Sequence, residues 1–204
     1  MEGRAAAVLG LVLHLSIGKA GDLFPLGEGY VWTYRVEWVQ EGRRDTLEAR
    51  TRVAGRRKIG AVECFVVENR VGDIGSREFL SAGESGVMVH GGIRDGGEFF
   101  YEPPLPRLRY PLAAGASWEV RARCGGEDVT VRSEVRGEEE VGVPAGRYRA
   151  VKVVAVADTP AGRTETFTWY AAGVGVVRQR VLQSRARGGL EMDIELRSFE
   201  KGEP

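Results

Sequence analysis

The sequence predicts an all-β protein, a curved antiparallel sheet or open β-barrel built from two sequence-related halves. Three observations carry this. From Tyr30 onward apolar residues recur with a period of two, as on half-buried strands, and no useful helical period survives after the first twenty residues. The 29 glycines exceed ordinary usage, and several stand in pairs between the alternating runs, where tight turns need positive φ. Three short blocks also return in the same order in the second half of the chain.

Residues 1–20 read as an address. Ala5 to Gly18 is apolar apart from His14 and Ser16, and Gly18-Lys19-Ala20 sets small residues around a cleavage point, the pattern of a secretory signal peptide. The run is shorter than the roughly 18 residues of a spanning helix and no second one follows, so no integral membrane span is expected in the mature chain. No cysteine closes the run, so a lipid anchor is not expected. The expected location is the periplasm or the extracellular space, and the length of 204 residues gives one β domain over 21–204.

The first strand carries Tyr30, Trp32, Tyr34, Val36 and Trp38 on one face and Val31, Thr33, Arg35 and Glu37 on the other. The same alternation marks Val129 and Val131, the run from Val151 to Val156, and Leu190, Met192, Ile194 and Leu196 against Glu191, Asp193, Glu195 and Arg197. Gly91-Gly92, Gly96-Gly97, Gly125-Gly126 and Gly188-Gly189 are expected hairpin turns.

The repeat organises these strands. Phe24-Pro25-Leu26-x-x-Gly29-x-x-Trp32 returns as Tyr110-Pro111-Leu112-x-x-Gly115-x-x-Trp118, and Val53-x-Gly55 returns as Val135-x-Gly137. Ala82-Gly83 ahead of Gly86-Val87 echoes Ala172-Gly173 ahead of Gly175-Val176. The halves, about 24–100 and 110–199, are expected to hold some four strands each, joined by the extended proline-rich stretch 101–110, with one apolar face buried against the other. Trp32 and Trp118, at equivalent positions, are expected to begin equivalent strands and point inward.

Three motifs carry a resemblance: Pro111-Leu112-x-x-Gly115-x-x-Trp118, Val143-Pro144-Ala145-Gly146-x-Tyr148-x-Ala150-Val151-Lys152-Val153, and Trp169-Tyr170-Ala171-x-Gly173-Val174-Gly175-Val176-Val177. With them the chain resembles a loose group of uncharacterised secreted bacterial proteins. That group is similar in fold to the lipoprotein localisation factors of the LolA and LolB kind, and the resemblance implies a twisted sheet curled into an open barrel around acyl chains.

Chemistry is sparse. The formal net charge is zero, and residues 1–20 hold only Glu2, Arg4 and Lys19, so nothing electrostatic draws the mature chain to nucleic acid. His90 is its one histidine, no Gly-x-Ser-x-Gly elbow accompanies it, and no phosphate loop is present, so no catalytic residue, metal ligand or cofactor is expected. Glu138-Glu139-Glu140 reads as a solvated turn, and Glu191, Asp193 and Glu195 as a wet strand face. A hydrolase using two carboxylates is the minor alternative and needs two acids facing each other in a cleft. The basic runs Arg56-Arg57-Lys58 and Arg178, Arg180, Arg185, Arg187 read as solvated strand faces, the alternative being a surface that touches anionic lipid headgroups. Cys64 and Cys124 form a disulfide in an oxidising compartment, or else stay as two buried thiols.

What remains is the aromatic set Tyr30, Trp32, Tyr34, Trp38, Trp118, Phe167 and Trp169. These are expected to line a concave site for a lipid, acyl chain or other apolar small molecule in a non-enzymatic exported envelope protein. The alternative is a solid core, in a structural module that contacts another envelope protein through its strand edges.

Overall fold

The structure is a computed structural model that describes residues 23–184 and 189–202. The expected signal segment lies outside these residues, as do Arg185, Arg187 and Gly188. Twelve strands follow one another: β1 (Val31–Gln40), β2 (Arg43–Ile59), β3 (Val62–Val71), β4 (Ile74–Gly83), β5 (Gly86–Arg94), β6 (Gly97–Arg109), β7 (Ser117–Cys124), β8 (Glu127–Val143), β9 (Gly146–Thr159), β10 (Gly162–Ala171), β11 (Gly175–Ser184) and β12 (Gly189–Glu200). Each pairs antiparallel with its neighbours in sequence, and the ladder from Val31↔Glu200 to Gln40↔Leu190 joins first to last. The expected curved sheet therefore closes into a barrel, and closure gives its first and last strands partners.

Six strands precede the link 110–116 and six follow it, more than the four per half expected. The stretch 101–110 is not a joint. It is barrel wall, because β6 runs through it to Arg109.

The repeated blocks adopt the same hydrogen bonds. Gly29 (φ 80°) donates its amide to Val53 O at 2.9 Å, and Val53 donates back to Tyr30 O at 2.9 Å. Gly115 (φ 84°) donates to Val135 O at 2.8 Å, and Val135 donates back to Ala116 O at 2.8 Å. Immediately after each valine the register slips, between Val53 and Gly55 against β3 and between Val135 and Gly137 against β9. A second pair of slips falls between Phe79 and Leu80 and between Trp169 and Tyr170. Such bulges add an unpaired residue and bend the strand. Beyond them the long hairpins lean across the outer wall: Arg57 of β2 reaches Glu98 of β6 and stacks on Phe79 of β4, while Ala145 donates to Leu196 O of β12.

Gly91 and Gly92 are not a turn. They lie inside β5, where a Cβ would come within 2.2 Å of Phe99 O or 2.1 Å of Arg77 O, so only glycine fits between the flanking strands. His90 accordingly sits mid-strand and buried, its Nε2 2.8 Å from Ser81 Oγ.

One barrel end is packed. Trp32 stacks on Phe199 with ring centroids 5.0 Å apart, Tyr30 meets both edge-on, and Phe24 from the entering segment packs on Tyr170 at 6.2 Å. The outer wall is charged. Arg180–Glu191, Arg178–Asp193, Arg35–Glu195 and Arg149–Glu138 pair across neighbouring strands, where a membrane-spanning barrel would present an apolar band. Among the described residues no helix is long and apolar enough to cross a membrane.

Candidate functional site: a cavity inside the barrel

The barrel encloses a cavity of about 640 Å³, within the range of small-molecule pockets. Each wall is set by strand alternation. Val67 of β3, Val89 of β5, Val153 of β9 and Ile194 of β12 give apolar surface, Trp32 and Tyr34 of β1 close it on the packed side, and Ile93, Arg94 and Phe99 stand at the opposite rim. A belt of polar side chains crosses the middle. In it Thr51 meets Asn69 at 2.8 Å, Gln179 donates to Thr168 at 3.1 Å, and Arg107 meets Glu78 at 2.6 Å.

Of the seven aromatic residues expected to line the interior, Trp32 and Tyr34 do so. Tyr30 lies at the packed end against Phe199, Trp38 is half-buried farther down β1, and Trp118 is buried in a separate cluster with Leu108, Val87 and Val135. Phe167 and Trp169 are corrections. Thr166, Thr168 and Tyr170 line the cavity, so the residues between them face outward by the period of two. There Trp169 donates to Glu139 and carries the Lys152 ammonium 4.7 Å over its ring, under the leaning β8–β9 hairpin. Glu138, Glu139 and Glu140 are correspondingly part of strand β8 and not a turn. Cys64 and Cys124 are both free thiols in the structure, on β3 and β7, which are not neighbours in the barrel.

The ion pair is what the sequence did not reveal. Arg107 and Glu78 are 29 residues apart, on strands separated by β5. Protein surrounds the guanidinium, yet 28% of its side-chain surface is accessible, because that surface faces the cavity. Burial works against its charge, and Glu78 together with Tyr170 and Tyr101 more than offsets this, raising the guanidinium above its ordinary range. Burial likewise pushes the Tyr170 phenol up, partly offset by Arg107 and by a hydrogen bond with Thr168. The buried Tyr34 phenol is raised for the same reason, and its hydroxyl donates to Val176 O at 3.1 Å. All these phenols stay neutral and can donate. Among the described residues Glu78 is the one acid on the cavity wall, so they do not form there the opposed pair required by a two-carboxylate hydrolase.

No family model matches the chain, and no curated protein matches it. Three solved structures are similar to it at low identity. A candidate lipoprotein from Parabacteroides distasonis is 14% identical, with 88% of this chain and 98% of that one covered and a TM-score of 0.44. A candidate exported protein with YmcC-like fold from Bacteroides fragilis is 19% identical, covering 88% and 99%, at 0.45. The hypothetical lipoprotein YmcC from Escherichia coli is 13% identical, covering 85% of each, at 0.38. None of the three is described as a localisation factor of the LolA or LolB kind, and at these values no function passes to this chain.

Proposed function

We propose that this protein is a non-catalytic, exported binding module of the cell envelope that holds an amphipathic or apolar small molecule within its barrel. The observation that carries the reading is the cavity of about 640 Å³ inside the barrel, with apolar walls and a polar belt. Trp32 forms part of its lining and reports on it. The test is solvent extraction of the mature protein purified from its native envelope, with titration of brominated fatty acids against tryptophan emission. Co-extracted lipid and quenching that disappears in Trp32→Phe are the expected results. No extractable ligand together with unquenched emission overturns the reading.

A second reading is a protein-interaction module. One observation favours it: β7 pairs with β6 only at Tyr101↔Cys124 and Glu102↔Arg123, leaving most of that edge for another strand to join. Cross-linking of the wild-type protein in its envelope through a photoreactive residue at position 120 tests it, since a partner strand on β7 would be captured there and a free edge would not.

A further inference from the structure

We propose that Arg107 is the anchor for an oxyanion, so that the cavity selects an amphipathic anion whose carboxylate or phosphate head meets the guanidinium while its tail lies along Val67, Val89, Val153 and Ile194. This rests on the binding-module reading above. The geometry is that of a built site. Arg107 projects into the cavity from the proline-rich stretch of β6, and its contact with Glu78 runs through Nη2, which carries two of the five N–H donors that a guanidinium offers. Its guanidinium carbon lies 5.7 Å over the Phe24 ring, a cation–π contact. Tyr170, on the same cavity wall, is within its electrostatic reach and keeps a neutral hydroxyl, hydrogen-bonded with Thr168.

The wall leading inward is cationic. Arg94 stands exposed at the rim, 5.2 Å over Phe99, and the Tyr101 phenol lies within the field of both Arg94 and Arg107. Low dielectric strengthens these charges, and a cleft lined by one sign of charge concentrates the opposite ion. A planar, weakly hydrated guanidinium suits oxyanions better than an ammonium would. Among the described residues Glu78 is the sole acid on the cavity wall and balances one arginine charge, and an incoming head group uses the donors that Glu78 leaves free.

The experiment compares dodecanoate, dodecyl phosphate and dodecanol by calorimetric titration of the wild-type protein and of the Glu78→Gln/Arg107→Gln double variant. The double variant leaves no single buried charge, and its melting curve is recorded first. In the wild type both anions should bind at least tenfold more tightly than dodecanol. The double variant should lose at least tenfold for the anions and less than twofold for the alcohol. A preference for dodecanoate identifies a fatty-acid head, and a preference for dodecyl phosphate a phosphate ester; either supports the anchor. Dodecanol binding as tightly as the anions to the wild type, which needs no variant to fold, overturns the anchor and leaves the cavity reading standing. Binding of none of the three overturns both.

Discussion

Gly29 and Gly115 make the same backbone turn at the entrance to the two halves, with φ of 80° and 84° and matching amide bonds to Val53 and Val135. Any residue with a Cβ is strained there, since left-handed geometry costs an L-residue roughly 1–2 kcal/mol. Space differs, however. A Cβ on Gly115 meets nothing within 4 Å, while one on Gly29 falls 3.2 Å from the Gly202 backbone. Gly115→Ala should therefore cost about 1 kcal/mol and Gly29→Ala clearly more, read from urea unfolding midpoints. A neutral or stabilising Gly115→Ala would refute the shared turn.

His90 makes stability depend on mild acid. Burial lowers its pKa below the ordinary 6.5, so the unfolded chain takes up the proton first as pH falls. The neutral imidazole's contribution is fully present above about pH 6.5 and is lost below it, with a slope of at most about 1.4 kcal/mol per pH unit. Unfolding free energies at pH 7.5, 6.5 and 5.5 should decline below pH 6.5 in the wild type and less steeply in His90→Gln. Equal slopes would assign the decline to other groups.

Much of this was legible because backbone geometry restricts residue choice. Positive φ calls for glycine, which is why Gly29, Gly55, Gly115 and Gly137 announce the repeat in sequence. Which face of a strand points inward is a different matter. In Thr166-Phe167-Thr168-Trp169 the aromatic side looks like the interior, but the leaning β8–β9 hairpin covers the outer face and the threonines line a partly polar cavity, so polarity no longer marks in from out. Glu78 and Arg107 were hidden for the same reason. A charged residue at an inward position reads as a wet face until its partner two strands away is known.

Cysteine labelling follows from burial. Cys64 is fully buried and Cys124 half-buried, and burial pushes both thiols above their usual range. A thiol-specific chromogenic reagent at mildly alkaline pH should titrate Cys124 slowly in the folded protein and Cys64 only after addition of denaturant. Absence of any labelling in denaturant until a reductant is added would mean that the two are bridged.

The weakest seam of the barrel lies between β6 and β7. By the repeat β7 corresponds to β1, yet β1 is laddered along both sides, while β7 pairs fully with β8 and only at Tyr101↔Cys124 and Glu102↔Arg123 with β6. The cause is chemical: Pro103, Pro104 and Pro106 have no amide to donate, and proline belongs at strand edges. Trp118 spans the gap, its Nε1 donating to Pro106 O at 3.4 Å and its ring buried at 7% exposure. Hydrogen exchange should therefore be faster for amides of β7 than for the equivalent amides of β1, on the argument that local opening follows missing ladder bonds. Trp118→Ala should cost about 3–5 kcal/mol, as for a large core truncation, and should widen that difference. Equal protection of β1 and β7 would mean that the gap is filled in solution, and a substitution cost under about 1 kcal/mol would mean that Trp118 does not hold it closed.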